Sequence, residues 1–561
     1  HRIRCGDSLV GVFDLSVLAK GIPDKAFDPC EGDDKTVARS AAKRNKEEKR
    51  GTQDLFTVPA ETATGLLSRH SRDVDAIPDD SPELVRRKKE LFEASHRDPA
   101  WLRQKQACDL WTAAFFQNFG EKAEERKQRG ESLPSPISFL PSPVITSAAL
   151  ADHLAGRPID ARLLGNATVL AQRLNFFHWP LEFPEVFTPP APLSPLPTPH
   201  SGPPAGGFDV ILSNPPWERI KLQEQEFFAA RDPQIAAAPN KAARSRLITE
   251  LIQKNPELHA EFTAAVHAAD CASKFLRQSG RFPLTATGDI NTYAVFAETI
   301  RRLLSPPGRA GVILPTGIAT DATCQDFFAD LNQQGQLASL FDFENREGLF
   351  PAIDSRMKFV LLTLRGPLPS PVSPLPSSAF AFFLTRAEHL RDSRRRFTLT
   401  AEDLALFNPN TRTCPVFRTR ADTDLTRAIY QRVPVLLRED QPGGLPAGQA
   451  GNPWGISFLR MFDMSNDSHL FRTREQLEQD GFRLVGNVFE ASSEQRVVSS
   501  EKDMPSGDSA ARRSPLAARY VPLYEAKLMH QFDHRFATYE GERMANGEWR
   551  METRETTALL G

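Results

Sequence analysis

Residues 208–217 read FDVILSNPPW, and this stretch decides the fold expected for the chain. Phe208–Ser213 is an apolar run typical of a buried β-strand, and the two prolines that follow would end it in a loop. Further along, residues 294–304 have the apolar spacing of an amphipathic helix, and residues 311–314 and 358–364 are two more strand-like runs. Strands that alternate with helices predict an α/β fold with a parallel sheet.

Asn214-Pro215-Pro216-Trp217 combines groups that suit a reaction at a planar amine. The exocyclic amine of adenine is a poor nucleophile because its lone pair is delocalised into the ring. Two acceptors, the side-chain oxygen of Asn214 and the carbonyl oxygen of Pro215, would favour the tetrahedral nitrogen of the transition state. Trp217 offers a flat face for stacking a base. The alternative is a loop that merely ends a strand.

Composition sets the class of protein but does not select a function. The 561 residues carry a formal net charge of -2, so no overall basic field indicates nucleic acid, although a basic groove can lie on a neutral protein. The six cysteines form no C-x-x-C pair and stand beside no histidine cluster in the sequence. We therefore expect reduced thiols in a cytoplasmic protein, with no metal site and no disulfide framework. No apolar run is long enough to cross a bilayer, so we expect no membrane contact.

Several stretches indicate how the chain is organised. Residues 41–50 contain only Ala, Lys, Arg and Glu apart from Asn45, which predicts an exposed helix. Residues 84–119 have helical apolar spacing and predict a helical insertion packed on a larger domain. Three stretches rich in Pro and Ser predict surface loops or linkers, at residues 132–143, 189–204 and 367–376.

The segment FDVILSNPPW resembles the catalytic motif of adenine-specific DNA methyltransferases that use S-adenosylmethionine. More narrowly, it is similar to the large methylases of type IIG restriction–modification enzymes and of BREX and DISARM phage-defence systems. The segment RCGDSL, residues 4–9, resembles the family motif whose Asp binds the cofactor adenine. Other stretches are similar to further segments of the same family, at residues 177–187, 288–298, 308–318, 343–364 and 521–541.

The resemblance implies a fold, a reaction and a set of site residues. The expected fold is a Rossmann-like class I methyltransferase sheet, incomplete on its N-terminal side, with a helical insertion and a C-terminal α+β target-recognition region. The expected division is residues 1–16 (first part of the core, with residues 3–5 as a strand), 17–159 (insertion), 160–366 (catalytic core), 367–379 (linker) and 380–561 (target recognition). The methyl group of S-adenosylmethionine would pass to a flipped adenine of double-stranded DNA, in restriction–modification or phage defence, with other defence-system subunits as further partners. Asn214, Pro215, Pro216 and Trp217 would be catalytic, and Asp7, Ser8 and Asn214 would contact the cofactor.

Some residues keep two interpretations. Phe350 and Phe359 could pack against the flipped base, but packing in the core is the more common role of a Phe. Asn291 is as well explained by a helix cap as by a substrate or cofactor contact, and Tyr293 lies beside it. Asp7 could equally be an ordinary turn residue. A nuclease site at Glu525-x-Lys527, with an upstream Asp such as Asp508, has little support in the sequence.

Three functions remain open at this stage. The first is the adenine methyltransferase, with residues 1–16 and 160–366 in one sheet and with Asp7 and Asn214 at the same edge. The second is an inactive or split DNA-recognition module. The family's glycine-rich cofactor loop normally precedes the GDSL segment, and the sequence does not contain that loop ahead of residue 4. On this basis we expect the chain alone to bind S-adenosylmethionine poorly. The third is methyl transfer to another planar amine, in RNA or on a protein glutamine.

Overall fold

The computed structural model describes residues 3–51, 60–120, 143–187, 206–368 and 375–439 and, with gaps, 451–491 and short stretches at 519–521, 537–538 and 552–553. The three Pro-rich stretches lie wholly or mostly outside these residues, as do Asp508, Glu525 and Lys527. The contacts divide the chain into one unit at His1–Gly455 and a second at Ile456–Gly561.

The first unit contains helices before its first strand, between its strands and after its last strand. The N-terminal helices are α1 (Ser16–Ala19), α2 (Lys35–Gly51), α3 (Ala60–Asp75), α4 (Pro82–His96), α5 (Pro99–Ala113), α6 (Ser147–Leu154), α7 (Ala161–Arg173), α8 (Trp179–Glu182) and α9 (Pro184–Phe187). The later helices are α10 (Glu224–Ala229), α11 (Pro233–Ala236), α12 (Lys241–Lys254), α13 (Pro256–Gln278), α14 (Thr292–Leu303), α15 (Gly317–Thr320), α16 (Gln325–Gln333), α17 (Ala401–Phe407) and α18 (Arg420–Arg432). Short 3₁₀ helices lie at Asp24–Phe27, Ala322–Cys324, Asn345–Glu347 and Ala387–Arg391.

The same unit contains one six-stranded sheet. Its strands are β1 (Phe208–Ser213), β2 (Leu304–Pro315), β3 (Leu337–Glu344), β4 (Lys358–Arg365), β5 (Ser378–Leu384) and β6 (Phe397–Leu399). They are ordered β1-β2-β4-β3-β5-β6. The pairs β1–β2 and β3–β5 are parallel, and β4 and β6 run antiparallel to their neighbours. The predicted α/β class is confirmed, and the expected parallel sheet is confirmed for four strands of six.

The second unit is small in its described part. It contains α19 (Arg474–Gln479) and an antiparallel sheet of β7 (Phe482–Val485), β8 (Val488–Ala491) and β9 (Arg519–Tyr520). The strands β10 (Ala537–Thr538) and β11 (Glu552–Thr553) pair separately. The expected linker at residues 367–379 does not mark the boundary between units, because β5 and β6 continue the sheet of the first unit.

The N-terminal segment differs from its prediction. Residues 3–5 form no strand, and residues 3–16 add none to the six-stranded sheet. The backbone of residues 7–12 instead runs beside residues 175–179, with an isolated parallel bridge from Asp7 to Phe176 and a 2.8 Å hydrogen bond from Phe177 N to Val10 O. The expectation that residues 1–16 join the sheet is therefore wrong for the described part, since this segment already pairs elsewhere.

The helices before β1 share one hydrophobic core with α13. This core contains Leu110 and Phe115 from the α5 region and Phe275 from α13, all fully buried. The single helical stretch predicted at residues 84–119 is two helices, because Asp98 caps α5 and accepts hydrogen bonds from the backbone of Ala100 and Trp101. Among the described residues, no helix combines the length and the apolar character that a membrane span requires.

Asn45 is a polar residue on the buried face of helix α2, and its hydrogen bonds explain its position there. Its side chain is fully buried, although the rest of the 41–50 stretch predicts an exposed helix. Its Nδ2 donates to Ile22 O and to Asp24 Oδ1, both at 3.1 Å. Its Oδ1 accepts from the Ser147 backbone at 2.9 Å and from the Ser147 hydroxyl at 2.8 Å. Asn45 thus joins α2, the turn before it and the start of α6.

We expect Asn45→Ala to lower the free energy of unfolding by about 2–4 kcal/mol, because it leaves several buried donors and acceptors without partners. Urea denaturation followed by circular dichroism measures the loss. Lys46→Ala, on the exposed face of the same helix, is the matched control and should change stability by less than about 0.5 kcal/mol. Equal effects of the two substitutions would contradict the role given to Asn45.

Candidate functional site

The parallel strands bring three loops to one edge of the sheet. Asn214 follows the end of β1, Thr316 follows the end of β2, and Asn345 follows the end of β3. The carboxyl ends of parallel strands share an edge, and ligands of open α/β sheets bind there. Phe359, near the start of the antiparallel β4, pairs with Pro315 and so lies at this edge as well.

The strand that carries the motif is less buried than the sequence predicts. β1 is the outermost strand of the described sheet, and the side chains of Val210 and Leu212 are 68% and 82% exposed. The predicted strand is confirmed, but the expectation of a buried strand is wrong. The Phe208 ring, at its amino end, contacts the rings of Trp179, Phe183 and Phe187.

Asn214-Pro215-Pro216-Trp217 lies in an irregular loop directly after β1. Asn214 is exposed, Pro215 is buried, and Trp217 is half-buried. Neither the Asn214 side chain nor the Pro215 carbonyl is hydrogen-bonded to another described residue, so both acceptors are available. This arrangement presents the Asn214 amide at the sheet edge beside a rigid Pro-Pro step.

Thr292 fixes the rest of the loop, although the sequence pattern does not single it out. Its hydroxyl donates to the Pro216 carbonyl at 2.7 Å and accepts from the Glu218 backbone at 3.0 Å. The Thr292 backbone donates in turn to the Glu218 carbonyl at 2.9 Å. Thr292 is the first residue of α14, so the motif loop is anchored to the helix that leads into β2.

Asn291 occupies the N-cap position of α14, as one of its two interpretations predicted. Its side chain makes no capping hydrogen bond there. Tyr293, two residues later, is 5% exposed and belongs to the core. Burial raises the pKa of the Tyr293 hydroxyl well above its usual range. Tyr293 therefore has a packing role in this structure.

Trp217 packs against a small aromatic cluster under the sheet edge. Phe343 and Phe359 stack with their ring centres 5.4 Å apart and their planes 8° apart. Phe350 meets Phe359 edge-on at 5.2 Å and remains 40% exposed. Trp217 contacts the cluster of Phe343 and Phe359, and its Nε1 is buried without a partner among the described residues. Phe359 is a core residue, whereas Phe350 presents part of its ring to solvent.

Asn345 organises the loop that carries Phe350, and the sequence did not single it out. Its side chain is 1% exposed. Its Nδ2 donates to Phe350 O at 3.0 Å and to Ile353 O at 2.9 Å, and its Oδ1 accepts from Phe350 N at 2.9 Å. An Asn placed directly after a buried strand is the only sequence signal for this role.

The pKa values of two carboxylates near the end of β3 shift in opposite directions. Burial raises the pKa of Asp342, and the Thr316 hydroxyl donates to it at 2.6 Å. The Lys358 ammonium, 2.9 Å from Glu344, lowers the pKa of that carboxyl. Both groups hold the edge loops in place, since each is bonded to a residue of a neighbouring strand or loop.

Asp7 and Ser8 form a turn that is held from outside the sheet. The Asp7 carboxylate accepts from Leu9 N at 3.0 Å, as in an ordinary turn. Burial raises the pKa of Asp7, against the effect of this bond and of Arg281. The Ser8 carbonyl accepts from Trp179 Nε1 at 3.0 Å, and the Trp179 ring contacts Phe208. These contacts connect the turn to the amino end of β1. Asn214 follows the carboxyl end of the same strand. The expected position of Asp7 and Asn214 at one edge of the sheet therefore stays a prediction.

The fold also brings together residues that the sequence leaves far apart. Cys30, His267 and Cys271 each offer a ligand atom within 4.8 Å of the other two. The sequence has no histidine cluster beside a cysteine, but the fold places one histidine and two cysteines together. Only the four-residue spacing of His267 and Cys271, one helical turn, could have indicated half of this cluster.

Comparisons with known proteins give little. No protein-family model matches the chain, and no curated protein matches it. Among solved structures, it is similar to the methyltransferase subunit of a type I restriction–modification system from Streptococcus thermophilus. The two are 12% identical over 71% of this chain and 92% of the other, with a TM-score of 0.20. A similarity of this size carries no argument about fold or function, so the site must be judged on its own geometry.

We expect Asn345→Ala to loosen the loop that carries Phe350 while leaving the sheet intact. Hydrogen–deuterium exchange of the amides in residues 348–357 should become faster on the order of tenfold, because the Asn345 side-chain hydrogen bonds that hold the loop backbone are lost. Asn332→Ala removes another buried Asn, which bonds Phe328 O in α16, and serves as the control. Unchanged exchange in the Asn345 variant would show that the loop is held by other contacts.

Proposed function

We propose that this protein is a site-specific DNA methyltransferase that transfers a methyl group from S-adenosylmethionine to the exocyclic amine of adenine, in restriction–modification or phage defence. The observation that carries the proposal is the Asn214–Trp217 loop at the carboxyl end of a parallel strand. Its two acceptors have no partner among the described residues, and its backbone is held by Thr292. The resemblance of FDVILSNPPW to the family motif points to the same reaction.

The chain's own groups account for activation of the amine. As the nitrogen becomes tetrahedral, its two hydrogens turn toward acceptors that lie out of the plane of the base. The Asn214 amide oxygen and the Pro215 carbonyl oxygen would accept them, and both are uncharged, so they do not require a counter-ion. The Pro-Pro step and the Thr292 bond to Pro216 O fix one acceptor before the base arrives. Preorganised acceptors of this kind act most strongly in the transition state.

An extruded adenine needs a surface to stack on, and two rings at this edge are placed for it. Trp217 is anchored on the cluster of Phe343 and Phe359, so it would present its face without losing much side-chain freedom. Phe350 is partly exposed on a loop that Asn345 holds in shape. Base extrusion costs a few kcal/mol, which stacking on such rings offsets.

S-adenosylmethionine would supply the electrophilic methyl group. Asp7, Ser8 and Asn214 are the residues that the resemblance gives to cofactor binding. Asp7 fits in part, because its carboxylate accepts backbone hydrogen bonds from the following turn and could also accept one from an adenine amine. The Ser8 carbonyl is already bonded to Trp179 and to Arg281, so only the Ser8 side chain is left for a ligand.

Double-stranded DNA is the proposed substrate, and one stretch of the chain carries the charge for it. Between Arg386 and Arg438 the sequence has eleven arginines, no lysine and six carboxylates, although the whole protein is nearly neutral. Arg391 and Arg396 are exposed, and neither is paired with another described residue. A local excess of arginine favours phosphate contacts.

The second hypothesis, a DNA-recognition module that needs another segment to bind cofactor, is favoured by the exposure of β1. Val210 and Leu212 project from an outer strand of the described sheet, and apolar edge strands are rarely left open. A further strand beside β1 would pair its open backbone edge, and the elements packed on that strand would cover these side chains. Such a protein would bind DNA without transferring a methyl group until that strand is supplied.

We expect Asn214→Ala in the natural protein to slow methyl transfer by on the order of a hundred- to thousand-fold, since it removes about 3–4 kcal/mol of transition-state stabilisation. Trp217→Ala should weaken capture of the flipped base as well, by about 1–3 kcal/mol. The assay measures transfer of labelled methyl to duplex DNA, alongside a DNA-binding titration at fixed salt.

Asn332→Ala, near the end of α16 and so toward the edge at which β3 begins, is the control for both measurements. DNA binding should change little in Asn214→Ala, because affinity comes mostly from phosphate contacts. Near-normal methylation by this variant would refute the catalytic role of the motif. DNA binding without methylation by the unsubstituted protein, even with a strand supplied for β1, would instead favour the recognition module.

We expect Arg391→Ala and Arg396→Ala each to weaken DNA binding at every sequence tested and to reduce the slope of log affinity against log salt by about 1. The measurement is a salt series of binding titrations. Arg394→Ala is the matched control, because Arg394 is equally exposed but is paired with Asp392 at 2.9 Å. If the control weakens binding as much as the other two, the arginines do not act through phosphate contacts in the way proposed.

A further inference from the structure

We propose that Cys30, His267 and Cys271 form a Zn²⁺ site that joins the N-terminal segment to helix α13. His267 and Cys271 lie one turn apart on α13, and Cys30 lies in the loop before α2. The two sulfur atoms are 3.2 Å apart, and Cys271 Sγ is 3.7 Å from His267 Nδ1. Two thiolates and an imidazole are the ligands that zinc prefers in proteins.

The distances fit zinc after a small adjustment. With Zn–S bonds of about 2.3 Å in a tetrahedral site, two sulfur ligands are about 3.8 Å apart, so the thiols need to separate by about 0.6 Å. The imidazole Nδ1, 3.7 Å from Cys271 Sγ, is already at the separation from that ligand that such a site requires. Cys30 is on a loop and only partly buried, so it can move, whereas Cys271 is fixed on the helix and is 1% exposed.

Asp33 orients the histidine for this role. Its carboxylate is fully buried and accepts from His267 Nε2 at 3.1 Å, which leaves Nδ1 for a metal. The same carboxylate accepts from Cys30 N at 2.8 Å and from Phe119 N at 3.1 Å. A carboxylate behind the histidine is the usual support of a metal ligand, and it also holds the loop of Cys30 against the site.

Zinc binds cysteine as the thiolate, so a bound metal would release the protons of the Cys30 and Cys271 thiols. The nearby Lys274 ammonium is held by a 2.9 Å bond to Asp28 O.

The position of the cluster suggests a fourth ligand from solution. The described residues offer three ligands, and His267 lines a cavity of about 450 Å³ together with His259, Arg173 and Glu31. A water molecule there could complete a four-coordinate site. A disulfide is the alternative use of two neighbouring thiols, but it would require an oxidant and would leave the Asp33–His267 pair without a function.

The first test uses the full chain under reducing conditions. After loading with zinc and gel filtration, elemental analysis should find one zinc per chain. Loading with Co²⁺ should produce the thiolate-to-cobalt absorption in the near ultraviolet. Absence of bound metal, or a Cys30–Cys271 disulfide in the protein as isolated, would overturn the proposal. Methyl transfer is not a readout here, so the zinc site and the proposed function stand or fall separately.

Variants locate the metal. Cys30→Ala and Cys271→Ala should each abolish the cobalt absorption, whereas Cys108→Ala, at another buried thiol, should retain it. Asp33→Asn should weaken zinc affinity by about 10- to 100-fold while keeping both thiolate ligands and hence the absorption. Retention of the metal by Cys271→Ala would overturn the assignment. If an alanine variant fails to fold, the zinc content and cobalt spectrum of the unsubstituted chain still decide the question.

Discussion

The parallel pairing of β1 with β2 is the constraint on which the proposed site depends. The register places Ser213 opposite Val312, so Asn214 emerges at the edge toward which β2 and β3 also run. α14 connects to β2 without an intervening loop, and the first residue of α14 is Thr292. The helix that must precede β2 therefore delivers the hydroxyl that holds the motif loop. Without this pairing, the Asn and the two prolines would be an unsupported strand end.

The buried side chain of Arg281 holds the turn at Asp7 in place. Arg281 donates to the carbonyl oxygens of Ser8, Leu9 and Gly11, and desolvation lowers its pKa to about 9, so it remains charged at neutral pH. A buried cation of this kind is tolerated because carbonyl dipoles surround it. The Asp7 turn is thereby fixed to the segment after α13 and adds no strand to the sheet. This explains why a segment that looked like a strand adopts an irregular path.

The sequence predicted those features that depend on local pattern. The bounds of β1, the helix α14 and the strands around residues 311–314 and 358–364 follow from apolar spacing, which neighbouring residues determine. The exposure of Val210 and Leu212 could not be predicted, because burial of a strand depends on which strands pair beside it. Thr292 and Asn345 were missed for a related reason, since their hydrogen bonds join residues that only the fold brings close. Asn45 was predicted in part. The sequence shows it as the one residue of 41–50 that is not Ala, Lys, Arg or Glu, but only the structure shows the buried hydrogen bonds that it makes.

α13 links the helical layer to the motif loop. Its middle carries His267 and Cys271, and its last turns pack Phe275 into the core shared with α5. Near its end, Arg277 donates to the carbonyls of Ala286 and Gly288, a few residues before Thr292. The position of the Asn214 loop is therefore set from two directions, by strand pairing on one side and by this helix on the other. A metal bound by residues 30, 267 and 271 would fix the same helix to the N-terminal segment. It would use neither of the proposed acceptors, the side-chain oxygen of Asn214 and the carbonyl oxygen of Pro215.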